Sequence, residues 1–165
     1  MVRLATTLIL ALAVLGVTKG SAASEHVFRQ SGIVLRYPHG WFATNQPVSS
    51  VTNPVQRLVL SSYRLPTSAH YSDGFTPSPN GVVAVLVEDL PPYASGSWPA
   101  RPGRFRPGRF VRVETFGGNR WMEIDFGVHK RAFVLFVGLG AKANPALAKA
   151  ALNILDGLVI APHAR

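Results

Sequence analysis

The sequence predicts an α+β fold, in which a mainly antiparallel sheet of five or six strands carries one helix at its C-terminal end. Two alternating stretches, 110–116 and 121–126, flank a Gly-Gly-Asn turn signal, and such short links join antiparallel strands. Two apolar stretches without alternation, 82–87 and 132–139, are typical of strands covered on both faces. An apolar stripe of helical period over 147–158 predicts a helix packed on the sheet.

In the first half of the chain, the sequence predicts strands that are joined by long connections. These strands are expected at 33–37, 55–63 and 82–87. The first ends at Pro38-His39-Gly40, since proline cannot continue a central strand and glycine tolerates a positive φ. The connections 64–80 and 88–108 are long and irregular, which is typical of functional or disordered segments. These loops, or a short helix near 48–55, are expected to cover the second face of the sheet.

The last third of the chain has the clearest local signals. A second hairpin is predicted to close over Gly127–Arg131, which leads into the apolar strand 132–139. Asn144 is a favourable helix N-cap, and Pro145 suits the first helical position because its missing N–H has no partner there. The helix is therefore expected to start at Pro145.

The amino-terminal segment 1–23 has the layout of a secretory signal peptide. Arg3 precedes an apolar run over 4–17, and Ser21-Ala22-Ala23 supplies small residues for cleavage after Ala23. The apolar run is shorter than the roughly 20 residues that a transmembrane helix needs, although an uncleaved anchor is the alternative. Residues 24–165 are then expected to form one exported domain, and without cysteine it cannot contain disulfides.

Two segments of the chain resemble PsbP-like domains. Residues 32–41, Gly-Ile-Val-Leu-Arg-Tyr-Pro-His-Gly-Trp, resemble their opening strand and Tyr-Pro-x-Gly-Trp turn, and 131–158 resemble their closing strand and helix. The mature chain, residues 24–165, also resembles small, uncharacterised exported proteins of high-GC Gram-positive bacteria. The resemblance implies an α-β-α sandwich around an antiparallel sheet. Because PsbP-like domains serve as a photosystem extrinsic subunit and a nuclear-import factor, it implies docking more than catalysis.

The most unusual sequence feature is a basic tandem repeat. The chain has 17 Lys and Arg against 8 Asp and Glu, for a net charge of +9, and Arg-Pro-Gly-Arg-Phe occurs twice in succession over 101–110. A functional interpretation makes this segment an anion- or partner-binding loop, with Phe105 available to insert or stack. The alternative is a solvated connector. The candidate binding residues are Arg101, Arg104, Phe105, Arg106 and Arg109.

Sequence motifs for catalysis and cofactor binding are lacking. Glu123 and Asp125 share a strand face and form either a carboxylate site or part of a solvated face. The five histidines have no helical i, i+4 spacing, and nucleophile-elbow, phosphate-loop and dinucleotide motifs are absent from the sequence. We therefore expect no catalytic residues, no metal and no cofactor.

These features together predict a non-enzymatic exported domain. Its expected partner is the anionic cell envelope, by peripheral membrane contact, or an unknown protein, and no nucleic acid is expected. The alternative function is small-ligand binding in a pocket between the sheet and the long loops, and a hydrolase is the least favoured. The sequence leaves the oligomeric state and the partner's identity open.

Overall fold

A computed structural model describes residues 25–48, 51–66, 76–92, 94, 96–110, 112–116 and 118–162. The leader expected at residues 1–23 lies outside them. Within the described residues the chain forms nine strands and one α-helix. In chain order these are β1 (Glu25–Gln30), β2 (Ile33–Pro38), β3 (Phe42–Thr44), β4 (Val55–Ser61), β5 (Val82–Asp89), β6 (Arg112–Phe116), β7 (Asn119–Val128), β8 (Arg131–Leu139), α1 (Pro145–Asp156) and β9 (Val159–Ile160).

The larger sheet confirms the antiparallel α+β fold. Its six strands lie in the order β3-β4-β5-β8-β7-β6, and every neighbouring pair is antiparallel. The apolar strands β5 and β8 occupy the centre, as their lack of alternation predicts. A tight turn joins β7 to β8, and both of its central residues, His129 and Lys130, have positive φ angles of 53° and 62°. Positive φ angles at both central residues are typical of two-residue hairpin turns, because they match the right-handed twist of the flanking strands.

A second, smaller sheet was not expected from the sequence. Its strands lie in the order β1-β2-β9 and are antiparallel. Ser31 and Gly32, with φ angles of 50° and 74°, form the turn between β1 and β2. The strand expected at 33–37 therefore exists, but it belongs to this small sheet, and the short C-terminal tail contributes β9 to it.

The main core lies between one face of the six-stranded sheet and a layer made of α1 and the small sheet. Asn144 caps the helix as predicted, because its side chain accepts a hydrogen bond of 2.9 Å from the Ala146 N–H. The helix buries one apolar stripe against the sheet. Fully buried side chains of this core include those of Leu35, Leu58, Leu86, Phe126, Phe133, Leu135, Leu152 and Leu155.

The opposite face of the six-stranded sheet has a thinner cover. A cluster of buried aliphatic side chains lies there, composed of Val48, Val59, Leu65, Val83, Val85 and Val87. The ring of Trp121 lies over Gly138, where a Cβ atom would come within 2.7 Å of the ring. Both faces of β8 were expected to be buried. The face towards the main core is fully buried, whereas Val134 and Phe136 on the opposite face are only half-buried. The described residues between 48 and 55 form no helix.

A buried ion-pair network connects the two sheets, and the sequence did not indicate it. Glu88 is 1% exposed, and its carboxylate accepts hydrogen bonds from Arg131 Nε at 2.7 Å and from Arg57 Nε at 2.6 Å. Arg131 also donates from its guanidinium to the backbone oxygens of Ala161, at 2.9 Å, and Ser31, at 3.3 Å. Arg131 thus joins the start of β8 to the β1–β2 turn and to the tail that follows β9.

Candidate functional site

The basic loop, defined as residues 101–110, begins with Arg101, which binds the C-terminal end of α1. The guanidinium of Arg101 donates to the backbone oxygens of Leu158, at 2.7 Å, and of Leu155 and Asp156, each at 3.3 Å. The last carbonyls of a helix lack internal partners and carry partial negative charge. Because α1 has no basic residue in its own last turn, Arg101 supplies that cation from a distant part of the chain.

Phe105 anchors the middle of the basic loop. Its side chain is 3% exposed, and its ring centroid lies 5.7 Å from that of Phe126 in the main core. Its backbone N–H donates to Asp156 Oδ1 at 2.7 Å. The expectation that Phe105 is available to stack on a partner is therefore wrong. An apolar ring beside a helix end gains more from burial in the core than from exposure to water.

The other three arginines of the loop face solvent. Arg104, Arg106 and Arg109 are exposed, and they form no hydrogen bond or ion pair through their side chains within the described part of the chain. A 3₁₀ turn over Pro107–Arg109 and the buried ring of Phe110 hold the end of the loop. Three of the five predicted binding residues thus remain accessible, while Arg101 and Phe105 hold the loop in place.

Carboxylates collect on the other face of the six-stranded sheet. Strand register places Asp89, Glu114, Glu123 and Asp125 on the face opposite the main core. The basic loop packs on the main-core side through Phe105 and Phe110. The basic loop and these four carboxylates therefore lie on opposite faces of the six-stranded sheet.

Glu123 and Asp125 are neither solvated nor deeply buried. Both are half-buried, and Glu123 lines a concavity of about 140 Å³ with Glu114, Trp121 and Phe136. Asp125 Oδ1 is buried, and no described residue donates a hydrogen bond to it. Burial raises the pKa of Asp89, and the charge of Asp125 raises it further. The described residues bring no third group to this pair that would complete a metal site.

An open cleft lies where the segment before the basic loop crosses the β7–β8 turn. The Gly127 N–H donates to the Pro99 oxygen at 2.7 Å, and the Arg101 N–H donates to the Gly127 oxygen at 3.2 Å. The resulting cleft has a volume of about 470 Å³, and its walls include Trp98, His129 and Lys130. This size is in the range of small-molecule sites.

The described residues contain no helix of the length and hydropathy that a membrane span requires. No protein-family model matches the chain. A search of curated proteins also gives no match.

Proposed function

We propose that this chain is an exported, non-catalytic domain that docks on an anionic lipid surface through Arg104, Arg106 and Arg109. The observation that carries the proposal is the arrangement of the basic loop. The loop presents three exposed guanidiniums, and buried phenylalanine rings at positions 105 and 110 anchor it to the core. The secretory leader expected at residues 1–23 would support the proposal, because it would bring the chain to the envelope.

The energetics favour weak, salt-sensitive binding. Each basic residue near an anionic lipid surface contributes about 1 kcal/mol, so three supply about 3 kcal/mol. The anchors at Phe105 and Phe110 reduce the entropy lost when the loop binds, because its backbone is already placed. The carboxylates on the opposite face of the sheet point away from the lipid in this orientation, which favours a single docking pose.

The PsbP-like resemblance is part of the same proposal. The antiparallel sheet with a C-terminal helix is compatible with that family, whose known members act as accessory docking subunits. Because a fold alone does not determine function, the resemblance supports docking only together with the basic loop.

The test is co-sedimentation of the chain with phosphatidylglycerol vesicles at low and high salt, beside phosphatidylcholine vesicles. We expect binding to the anionic vesicles at low salt and its loss at about 1 M salt, where screening shortens the electrostatic range to about 3 Å. A variant with Arg104, Arg106 and Arg109 changed to Ser should lose this binding.

A matched control removes the same charge elsewhere. Changing Arg29, Arg120 and Lys142 to Ser also neutralises three exposed cations, outside the basic loop. This control should retain most of the binding. Equal binding by both variants would refute loop-directed docking, and no vesicle binding by the unchanged chain would leave a protein partner as the better explanation.

The cleft at the β7–β8 turn supports a second candidate function, the binding of a small anionic ring compound. Trp98 offers a flat apolar wall, and Lys130 offers a positive charge beside it. Titration with benzoate, followed by tryptophan fluorescence, tests this function. Saturable binding that Lys130→Asn abolishes would support it, since asparagine tolerates the positive φ at this position. Binding that Lys130→Asn leaves unchanged would reject it.

A further inference from the structure

Two histidines meet on the surface of the small sheet. His26 Nε2 and His39 Nδ1 lie 3.1 Å apart, within hydrogen-bond distance. The rings are stacked with their centroids 4.7 Å apart, and both residues are exposed. The ring of Tyr37 lies 5.4 Å from that of His26. This pair is remote in sequence from the basic loop and from the cleft at the β7–β8 turn.

The local fold brings these histidines together. Register in the β1–β2 hairpin places His26 directly opposite Tyr37. The chain then turns at His39 and Gly40, where Gly40 has a φ of 81°, and the Trp41 N–H donates to the Pro38 oxygen. The turn leaves His39 beside the start of β1, because Glu25 pairs with Pro38. A strand pairing and a tight turn thus set the distance between the two rings.

The separation of the two nitrogens suits chelation of a metal ion. Metal–imidazole bonds are about 2.0–2.1 Å long, so two ligand nitrogens lie ~3.4 Å apart at a tetrahedral ion and ~2.9 Å apart at adjacent square-planar positions. The observed distance of 3.1 Å falls between these values. The two nitrogens already lie within hydrogen-bond distance, and small rotations of the exposed side chains would let a divalent cation sit between them.

We propose that His26 and His39 form a surface chelate site for a divalent transition-metal ion. Imidazole ligands suit copper, nickel and zinc, and the general affinity order makes Cu²⁺ the tightest of these. Among the described residues no third histidine or carboxylate joins the pair, so water completes the coordination and the metal exchanges readily. Binding would fasten the exposed strand β1 to the turn that follows β2.

The experiment is a titration of the chain with CuCl₂, followed by calorimetry and by electron paramagnetic resonance. The unchanged chain should bind one Cu²⁺ with the resonance signature of two nitrogen ligands. His26→Gln and His39→Gln should each weaken binding at least about tenfold, since even indirect changes around a metal commonly cost 10- to 100-fold. His129→Asn is the matched control, because His129 is also exposed and, like His39, lies in a turn.

Cu²⁺ could also bind at the amino terminus of a cleaved chain, and the experiment must distinguish that binding from the His26–His39 site. A chain cleaved after Ala23 would carry His26 as its third residue, where a terminal amine and two backbone amides can also hold Cu²⁺. The titration therefore uses a chain acetylated at its amino terminus. If His39→Gln binds Cu²⁺ as tightly as the unchanged chain, or if His129→Asn abolishes binding, the proposal is overturned.

Protection of β1 provides an independent measurement. Zn²⁺ at saturation should slow hydrogen exchange of amides in Glu25–Gln30, because the metal binds the folded hairpin and not its open form. His39→Gln should show no such slowing. Exchange in this strand that Zn²⁺ leaves unchanged would also count against the site.

Discussion

Glu88 is a charged side chain in the core, and its arginine partners determine how its ionisation affects the fold. Burial alone would raise the pKa of Glu88. The hydrogen bonds and charges of Arg131 and Arg57 outweigh this effect, so the pKa of Glu88 lies below its usual value. An acid with a lowered pKa in the folded state stabilises the fold above the pKa of the unfolded chain, and this contribution is lost as the pH falls.

We predict that Glu88→Gln lowers the free energy of unfolding by about 3–5 kcal/mol at pH 7, because it leaves the buried Arg131 and the half-buried Arg57 without a counter-charge. Urea unfolding measures this change. Glu25→Gln, at an exposed carboxylate of the small sheet, is the control and should change stability by less than about 0.5 kcal/mol. The loss from Glu88→Gln should shrink as the pH falls below about 4.3, the usual pKa of glutamate. A loss that does not vary with pH would contradict the pairing.

Asp89 is expected to behave in the opposite way. Its pKa is raised by burial and by Asp125, so its ionised form weakens the fold at neutral pH. Asp89→Asn should therefore raise the free energy of unfolding at pH 7. The gain should fade towards pH 3.9, where the carboxyl of the unfolded chain takes up its proton. Thermal unfolding across this pH range checks the sign, and a destabilised variant at pH 7 would show that the carboxylate is stabilised instead.

At the scale of the elements, the end of α1 depends on a residue more than fifty positions away in sequence. Arg101 supplies hydrogen bonds and positive charge to three carbonyls at and just beyond the helix C-terminus. Arg104 occupies the fourth position of the same repeat unit and is exposed. The two arginines therefore separate the effect of a helix contact from the effect of charge.

We predict that Arg101→Ala lowers the free energy of unfolding by about 1–3 kcal/mol, because it leaves helix carbonyls without their charged donor. Arg104→Ala carries the same change in charge and should stay within about 0.5 kcal/mol of the unchanged chain. Urea unfolding of the two variants, side by side, measures the difference. Equal losses would mean that general charge, and not the helix contact, accounts for the effect.

The central strand β8 gives the prediction for the core. Leu135 is fully buried between the sheet and α1. Leu135→Ala should lower the free energy of unfolding by about 2–5 kcal/mol through lost burial and the cavity left behind. Val159→Ala, at a strand residue that is 57% exposed, is the control. A loss below about 1 kcal/mol for Leu135→Ala would contradict the close packing of this strand.

At the scale of the whole molecule, the distribution of charge matters more than its sum. The net charge is +9, yet four of the eight acidic residues lie on one sheet face, at Asp89, Glu114, Glu123 and Asp125. The basic loop lies on the main-core side. The three exposed arginines of the loop are thus set apart from these four carboxylates, and an uneven distribution of charge helps to orient a protein at a charged surface.

Export of the whole molecule stays a prediction, because residues 1–23, where a leader is expected, lie outside the described residues. We expect the exported product to begin at Ser24, after cleavage at the small residues Ser21-Ala22-Ala23. Intact-mass spectrometry of protein from the culture medium or the envelope measures the start of the chain. A product that retains residues 1–23 would indicate an amino-terminal anchor.

Local chemistry in the sequence was sufficient to predict several elements. The N-cap at Asn144, the hairpin turn before β8 and the apolar strands β5 and β8 follow from propensities and periodicities of neighbouring residues. Strand β1 escaped prediction, because its residues are mostly exposed and polar and leave no clear alternation. Backbone pairing with β2 holds β1 in place, and the sequence of β1 has no hydrophobic alternation that would indicate a strand.

The site features depended on contacts between distant parts of the chain. The partners of Glu88 come from β4 and β8, and His26 meets His39 only after the hairpin forms. No local pattern encodes such contacts, since they depend on which elements pack together. The repeat shows this most clearly. Arg101 and Arg106 begin identical five-residue units, yet one is drawn to the end of α1 and the other faces solvent. The sequence by itself determined that the loop would be basic and irregular. The tertiary structure decided which arginines remain available, because only the folded chain brings a helix terminus to the first unit.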